Sequence, residues 1–276
     1  MSKAPTKPPY ALTIASSDSS GGAGIQADLK TMTRFGVYGG SVIVSTTAQN
    51  TQGVDSTHVL PPAEIRAQYK SIIEDIDIDV IKLGMLATAE AIETVDDCLT
   101  EYNGPVVIDP VMVATSGDRL LAEDAIDAYT DLFAHATLLT PNADETEALT
   151  GVWPDTAGAR ERAAEQFFTW GVDAVLFKGG HVRDDADTVQ DILITADAGT
   201  QLTVTGDRVE TAHTHGSGCT LASGIAARLA HGVDVETAVT DGVNFVQTAL
   251  QNAATVGSNG SVNHLVELAE DTEYSS

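Results

Sequence analysis

The chain is poor in basic side chains. Its 276 residues include 14 lysines and arginines against 40 aspartates and glutamates, which gives a formal net charge of −26 and a pI near 4.2. A field of this sign repels nucleic acids and anionic membrane surfaces, so we expect binding to neither. The acidic residues are scattered and form no tail. A surface with few lysines and many carboxylates is typical of proteins adapted to molar salt, where short screening lengths reduce self-repulsion.

This charge leads to a prediction about salt. Lowering KCl from molar concentrations to about 0.1 M lengthens the Debye length to roughly 10 Å and restores the repulsion between carboxylates. We therefore expect the Tm to fall as KCl is removed. Thermal melts across a KCl series check this, and a Tm that is unchanged or higher at low salt would contradict adaptation to salt.

Cysteine and long apolar segments are also scarce. Cys98 and Cys219 lie in unrelated contexts, and no CxxC or cysteine and histidine spacing predicts a zinc site or a disulfide framework. No apolar run approaches the roughly 18 residues of a membrane span, and residues 1–9 lack the apolar segment of a signal peptide. We therefore expect a soluble cytoplasmic protein that is frayed at residues 1–9 and 270–276.

Short apolar segments rich in β-branched residues alternate with segments of helical spacing. The predicted strands are residues 10–15, 42–45, 80–83, 106–108, 138–140 and 174–177. The predicted helices are residues 25–35, 62–73, 88–102, 122–133, 143–149 and 157–170. This alternation predicts an α/β fold with a doubly wound, mostly parallel sheet flanked by helices. Because no linker or shift in composition divides the chain, we expect one domain over residues 1–276, with ligands at the carboxyl ends of the strands.

A glycine-rich loop precedes the last predicted helix. Gly216, Ser217 and Gly218 end a polar loop, and Cys219 begins an apolar run at helical spacing that stops near Gly232. A helix N-terminus has unpaired N–H groups and a partial positive charge. Because glycines let a ligand come close to the backbone, this loop predicts an anion-binding site, and phosphate is the favoured anion. The alternative is that the loop is only a flexible connection.

Polar loops follow the first three predicted strands. Residues 16–24 are small and polar enough to wrap a ligand, although a flexible turn has the same composition. In the predicted loop at residues 46–53, Gln49 and Asn50 offer donors and acceptors to a heterocycle edge, and turn chemistry is the alternative. Met85 is more typical of a core than of a ligand contact. The pattern GxxxxGK[ST] is absent from the chain, which excludes a Walker-type P-loop.

The later strand ends carry charged side chains. Asp109 is suited to Mg²⁺ or a bound water, and Lys178 offers one of the few basic groups to an anion. Between them, Pro141 is predicted to open a helix that Asn142 caps, and Glu145 completes a capping box.

Eight motifs occur in a fixed order along nearly the whole chain. They are ALTIA (11–15), SGGAGIQADLK (20–30), TAQNT (47–51), KLGML (82–86), VIDPVM (107–112), TPN (140–142), KGGH (178–181) and HGSGCTL (215–221). This series resembles the hydroxymethylpyrimidine/phosphomethylpyrimidine kinases of thiamine biosynthesis, in the ribokinase superfamily. Cys219 is the discriminating residue, because most sugar kinases of the superfamily have aspartate there, whereas this subgroup and some pyridoxal kinases have cysteine.

The resemblance implies a ribokinase-like fold, ATP and Mg²⁺ as cofactors, and a homodimer. It implies transfer of the γ-phosphoryl group to 4-amino-5-hydroxymethyl-2-methylpyrimidine and then to the resulting monophosphate. The implied pyrimidine pocket consists of Ala23, Asp28, Gln49, Met85, Val111 and Cys219. The implied nucleotide and metal end consists of Asp109, Asn142, Glu145, Lys178, Gly216, Ser217 and Gly218, with Asn142 and Glu145 holding Mg²⁺ through water.

Cys219 is the candidate base. A hydroxymethyl group loses a proton as it attacks, whereas a phosphate monoester already carries an anionic oxygen, so only the first step needs a base. At a helix N-terminus we expect the pKa of this thiol to fall from about 8.5, which would make a thiolate available near neutral pH.

Several positions depart from the family pattern. Residues 16–20 read SSDSS where the family usually has Gly-Thr-Asp-Pro-Ser, and Ser217 stands where the family usually has threonine. Val243 replaces a lysine often found on the final helix, which leaves Lys178 with more phosphate charge to offset. The loop at residues 256–261 lacks the usual lysine or histidine and the usual proline.

Three alternatives remain open. Pyridoxal kinase is the nearest, because pyridoxal is also a six-membered nitrogen heterocycle with a hydroxymethyl group. A sugar or nucleoside kinase is disfavoured by Cys219. A non-catalytic pyrimidine-binding regulator is disfavoured by the intact glycine loop and by Asp109, Asn142 and Glu145.

Overall fold

The computed structural model describes residues 6–112, 128–181, 187–197 and 201–266. The strands in these ranges form a single nine-stranded sheet. In chain order they are β1 (Tyr10–Asp18), β2 (Tyr38–Asn50), β3 (Gly53–Val59), β4 (Val80–Leu83), β5 (Val106–Ile108), β6 (Leu138–Leu139), β7 (Ala174–Phe177), β8 (Thr188–Thr195) and β9 (Gln201–Asp207). The helices are α1 (Gly24–Arg34), α2 (Pro62–Ile73), α3 (Ala89–Leu99), α4 (Tyr129–Leu132), α5 (Ala143–Thr150), α6 (Ala157–Thr169), α7 (Ser217–Ala230) and α8 (Val235–Gln251), with short 3₁₀ helices at Phe133–His135 and Gly179–His181.

The strand order is β3-β2-β1-β4-β5-β6-β7-β8-β9. Strands β1, β2 and β4 to β7 pair in parallel, and β3, β8 and β9 add antiparallel strands at the two edges. Leu12 at the centre of the sheet lies opposite Gly40 of β2 and Ile81 of β4. The predicted doubly wound, mostly parallel sheet is confirmed, and the carboxyl ends of its central strands meet at one edge.

The central strands are apolar at consecutive positions because both faces of the sheet are buried. Leu12 and Ile14 pack into a core that includes residues of α2, α3 and α6, whereas Ala11 packs into a second core with residues of α1, α7 and α8. Ile81 and Val80 of β4 divide between the same two cores. Alternate side chains of a strand point to opposite faces, so each helix layer receives its own row of apolar contacts.

The apolar and helical patterns of the sequence did not predict β3, β8, β9 or α8, although the family resemblance placed Val243 on a final helix. Strands β3 and β9 are sheet edges whose residues are mostly exposed or partly exposed, so they contain no continuous apolar run. The predicted loop at residues 46–53 is wrong, because β2 continues to Asn50 and only Thr51 and Gln52 form the turn to β3. Helix α8 had a readable signal in Asp234, whose side chain caps it by accepting from the N–H of Thr237.

Predicted helix boundaries agree with the structure to within a few residues. Thr88 caps α3 by accepting from the N–H of Ala91 at 3.3 Å, and α3 ends at Leu99 within the predicted range 88–102. For the predicted helix at residues 122–133, residues 122–127 lie outside the described part. The same holds for residues 1–5 of the predicted frayed segment 1–9 and for all of residues 270–276. No helix among the described residues is both long enough and apolar enough to cross a membrane.

Candidate active site

A cavity of about 1050 Å³ opens at the carboxyl ends of the parallel strands. Its lining includes Asp18 at the end of β1, Asp109 after β5 and Lys178 after β7, together with the first turn of α7. Pockets for single small molecules usually measure about 300–1,000 Å³, so this cavity lies at the upper end of that range. Twelve of the thirteen predicted site residues line it, namely Ala23, Gln49, Met85, Asp109, Val111, Asn142, Glu145, Lys178, Gly216, Ser217, Gly218 and Cys219.

The glycine loop is built against the first loop of the chain. Helix α7 begins at Ser217, two residues before the predicted start at Cys219, and Gly216 is its N-cap with φ of 81°. A side chain at Gly216 would collide with the carbonyl oxygen of Gly22, so both the positive φ and the close approach require glycine. The N-terminus of α7 thereby points its partial positive charge into the cavity, as an anion site requires.

Lys178 is the centre of a buried charge cluster. Its Nζ donates to Oδ1 of Asp109 at 2.9 Å and lies 3.6 Å from Oε2 of Glu145. Burial acts to lower the pKa of Lys178, but the charges of Asp109 and Glu145 outweigh burial and raise it. Lys178 is therefore protonated throughout the physiological range and holds a fixed positive charge at the cavity wall.

The predicted capping box of α5 is present. Oδ1 of Asn142 accepts from the N–H of Glu145 at 2.8 Å, and Oε2 of Glu145 accepts from the N–H of Asn142 at 2.8 Å. Pro141 does not open the helix as predicted, since α5 begins at Ala143 and Pro141 precedes the cap. Local capping accounts for one interaction of the Glu145 carboxylate, and Lys178 accounts for a second.

The predicted low pKa of the Cys219 thiol is wrong. The residue is partly exposed to the cavity, but its sulfur lies among protein atoms, and this burial raises the thiol pKa to about 11. Lys82 and the N–H of Gly24 act to lower the pKa, whereas the carboxylates of Asp28 and Asp109 raise it further. Desolvation and two nearby carboxylates outweigh Lys82 and the N–H of Gly24, so at neutral pH the thiol of the ligand-free protein is protonated.

Asp28 is placed differently from the other candidates. It is fully buried below the cavity and does not line it. Both of its oxygens accept from Nζ of Lys82, at 2.9 and 3.0 Å, and one also accepts from Oγ1 of Thr13 at 2.6 Å. Lys82, which lines the cavity, stands between Asp28 and any ligand. Asp28 is predicted to line the pyrimidine pocket, but its partners make it a support for Lys82.

Lys82 is an ion pair partner that sequence analysis did not identify. Burial favours loss of its proton, but the charges of Asp28 and Asp109 outweigh burial and raise the pKa of Lys82. Its signal was available, because a lysine inside the short apolar strand β4 is fully buried there and requires a charged partner.

Asp18 organises the loop between β1 and α1. Its carboxylate accepts from the N–H groups of Ser20, Gly22 and Ala23 at 2.8, 3.1 and 2.8 Å, and Nε2 of His215 lies 2.9 Å from Oδ2. Burial acts to raise the pKa of Asp18, but His215 and the Ser20 donors outweigh it and hold the pKa below its usual range. The loop is therefore ordered without the family's proline, and the pair with His215 ties it to the glycine loop.

The far end of the cavity is apolar on one side. Val243, Val246 and Leu250 of α8 line it, and Val243 occupies the position at which the family often has lysine. Asp191 and Arg208 also line the cavity, and neither was identified from the sequence. An apolar wall beside Lys178 and the glycine loop fits a flat base attached to a phosphate chain.

The family of the chain is shown by comparison with known proteins. The model of the phosphomethylpyrimidine kinase family matches residues 18–263. The hydroxymethylpyrimidine/phosphomethylpyrimidine kinase of Streptomyces coelicolor is 42% identical over 268 residues, covering 96% of this chain and 98% of the relative. A phosphomethylpyrimidine kinase structure from Clostridium difficile 630 matches with a TM-score of 0.74 and 36% identity, over 88% of this chain and 98% of that one. The Staphylococcus aureus pyridoxal kinase in complex with AMP-PCP and pyridoxal matches with a TM-score of 0.84 and 30% identity, over 97% of each chain.

Proposed function

The chain belongs to the phosphomethylpyrimidine kinase family, and we propose that it uses ATP to phosphorylate 4-amino-5-hydroxymethyl-2-methylpyrimidine and then the resulting monophosphate. It is a phosphotransferase, as the kinase name of its Streptomyces coelicolor relative indicates. We place it in thiamine diphosphate biosynthesis because a relative from Geobacter sulfurreducens, 43% identical over 94% of this chain, is named a thiamine biosynthesis bifunctional protein. The observation that carries the proposal is one cavity that joins the Lys178 cluster and the glycine loop to Cys219 and Gln49.

The nucleotide end of this cavity suits phosphoryl transfer. Such transfer depends mainly on positioning and on charges directed at the phosphoryl oxygens. We assign Lys178 to the phosphates of ATP, because its charge is held at the wall by Asp109. The N–H of Gly218 in the first turn of α7 is assigned to the group in transfer, whereas the N–H of Ser217 donates to the carbonyl oxygen of Thr214 at 3.1 Å.

The residues present fit a magnesium ion. Asp109 and Glu145 place two carboxylates around Lys178, and Asn142 adds an amide oxygen nearby. No group of three or more metal-binding side chains occurs in the described residues, but Mg²⁺ bound with a nucleotide usually takes only one or two carboxylates and keeps several waters. Among the described residues, the Tyr129 hydroxyl is buried without a hydrogen-bond partner, and a water bound in the site would satisfy it. When bound, Mg²⁺ would neutralise phosphate charge.

The opposite end of the cavity suits the pyrimidine. We assign Ala23, Gln49, Met85 and Val111 to its ring and Cys219 to its hydroxymethyl group. Asp28 acts only through Lys82 in this assignment. Because the thiol pKa is raised to about 11, only a small thiolate fraction is available to take the hydroxymethyl proton at neutral pH.

A coupled assay of ADP formation in molar KCl tests the function. We expect turnover with the hydroxymethylpyrimidine and with its monophosphate, and slower turnover with pyridoxal. Absence of turnover with all three would favour a non-catalytic regulator. Turnover with pyridoxal alone would support pyridoxal kinase, the second candidate, which the likeness to the Staphylococcus aureus enzyme favours.

Replacing the Glu145 carboxylate separates its two assigned roles. Glu145→Gln keeps an oxygen for the N–H of Asn142 but removes the charge beside Lys178. We expect lower turnover and a weaker dependence on Mg²⁺, with little change in Tm. Glu147→Gln on the exposed side of α5 is the matched control and should change neither. A destabilised Glu145→Gln protein with normal turnover would limit Glu145 to capping.

The remaining assignments extend the same proposal. We propose a single domain over the whole chain, a homodimer, a cytoplasmic location and adaptation to high salt. The net charge of −26 supports the last of these, and the family resemblance supports the dimer.

A further inference from the structure

Gln49 is held at both its main chain and its side chain. The hydroxyl of Ser19 donates to the carbonyl oxygen of Gln49 at 2.7 Å and accepts from its N–H at 2.9 Å. Oγ1 of the buried Thr47 lies 3.0 Å from the Oε1 end of the Gln49 carboxamide and 2.8 Å from the carbonyl oxygen of Ser17. The carboxamide therefore reaches the cavity wall from a restrained position.

These two contacts of Thr47 cannot both be satisfied by its single hydroxyl hydrogen. If the hydroxyl donates to the Ser17 carbonyl, Oγ1 of Thr47 and Oε1 of Gln49 lie 3.0 Å apart with no hydrogen between them. If it donates to Gln49, Oγ1 and the Ser17 carbonyl oxygen lie 2.8 Å apart with no hydrogen between them. The Ser17 carbonyl belongs to the main chain of β1 and cannot turn, whereas a carboxamide can rotate by half a turn with almost no change in shape.

We propose that the Gln49 carboxamide is turned so that its Nε2 donates to Thr47, its Oε1 faces the cavity, and Thr47 acts as a positioning residue for substrate choice. The Thr47 hydroxyl then donates to Ser17 and accepts from Gln49, which satisfies both short contacts. Ser19 adds a restraint that the family's proline, without a hydroxyl, does not provide.

This orientation selects a ligand by its pattern of donors and acceptors, an inference that rests on the proposed function. Oε1 accepts from an exocyclic amino group, and the second hydrogen of Nε2 remains for an adjacent ring nitrogen. The 4-amino pyrimidine presents this donor and acceptor. Its 4-oxo analogue presents the reverse pattern, an acceptor at position 4 and a donor at the adjacent ring nitrogen. It binds only if the carboxamide turns back, and Oε1 of Gln49 then faces Oγ1 of Thr47. Thr47 therefore favours the amino form over the oxo form.

The orientation is tested first in the ligand-free protein by NMR. In the proposed arrangement, the Gln49 side-chain NH₂ group shows nuclear Overhauser effects to Thr47 and slowed exchange with water for one of its two protons. An NH₂ group without these effects, and with two rapidly exchanging protons, would overturn the orientation whatever the protein binds.

Substrate choice is tested by calorimetric titration with the 4-amino pyrimidine and its 4-oxo analogue. Thr47→Val removes the hydroxyl at nearly constant shape, and we expect the ratio of the two Kd values to fall by about tenfold, because a freed carboxamide can serve either ligand. Thr47→Ser keeps the hydroxyl and should keep the wild-type ratio. The Tm and the Kd for a non-hydrolysable ATP analogue should stay unchanged in both variants.

The outcomes separate the two proposals. If the NMR contacts are present but the wild-type protein binds neither pyrimidine, the proposed function fails and the orientation is supported. If the wild-type protein prefers the amino form and Thr47→Val keeps that preference, the role of Thr47 in substrate choice is overturned while the proposed function stands.

Discussion

Replacing Cys219 by alanine should slow phosphorylation of the hydroxymethyl group by a factor on the order of 10² to 10⁴, the usual contribution of a general base. The monophosphate step should lose much less, because its attacking oxygen is already anionic. The comparison is made by single-turnover kinetics for each step with saturating ATP. Equal losses in both steps would make Cys219 a packing residue of the cavity.

The second cysteine of the chain, Cys98, provides the control for this variant. Cys98 is a free, half-buried cysteine on α3 and does not line the cavity. Cys98→Ala should leave both single-turnover rates unchanged. A loss of similar size in Cys98→Ala would attribute the effect to a general weakening of the fold.

The raised pKa adds a signature in pH. With a thiol pKa of about 11, the thiolate fraction of Cys219 rises about tenfold for each pH unit well below that value. The kcat/KM of the first step should therefore increase with pH in the wild-type protein and become nearly independent of pH in Cys219→Ala. A flat wild-type profile for a rate-limiting chemical step would contradict proton transfer to Cys219.

Replacing Lys82 by methionine should lower the free energy of unfolding by about 3–5 kcal/mol, the usual loss when one partner of a buried ion pair is removed. Lys82 and Asp28 are both fully buried, so the remaining carboxylate cannot recover its hydration. Urea unfolding followed by circular dichroism measures this loss. Cys219→Ala, by contrast, leaves the buried pair intact.

Two further variants test the origin of that loss. Adding Asp28→Leu to Lys82→Met removes the unpaired charge and should restore most of the stability. Lys70→Met is the surface control, since Lys70 lies 3.6 Å from Glu74 at an exposed position and such pairs contribute little. A double variant as unstable as Lys82→Met would place the loss in packing around the strand.

The amino-acid sequence was sufficient for features that depend on neighbouring residues. The apolar runs at residues 106–108 and 174–177 predicted buried strands, because a strand covered on both faces needs apolar side chains at consecutive positions. The capping box of Asn142 and Glu145 followed from a spacing of three residues. The family resemblance carried by the order of the eight motifs implied thirteen site residues, and twelve of them line one cavity.

Features that depend on contacts between distant segments required the three-dimensional structure. Lys82 and Asp28 are 54 positions apart, and His215 and Asp18 are 197 positions apart, so no local pattern pairs them. The pKa of Cys219 is the clearest case. A helix N-terminus is visible in the sequence and acts to lower that pKa, but burial and the carboxylates brought from β5 and α1 raise it, because desolvation and electric field depend on distance in space.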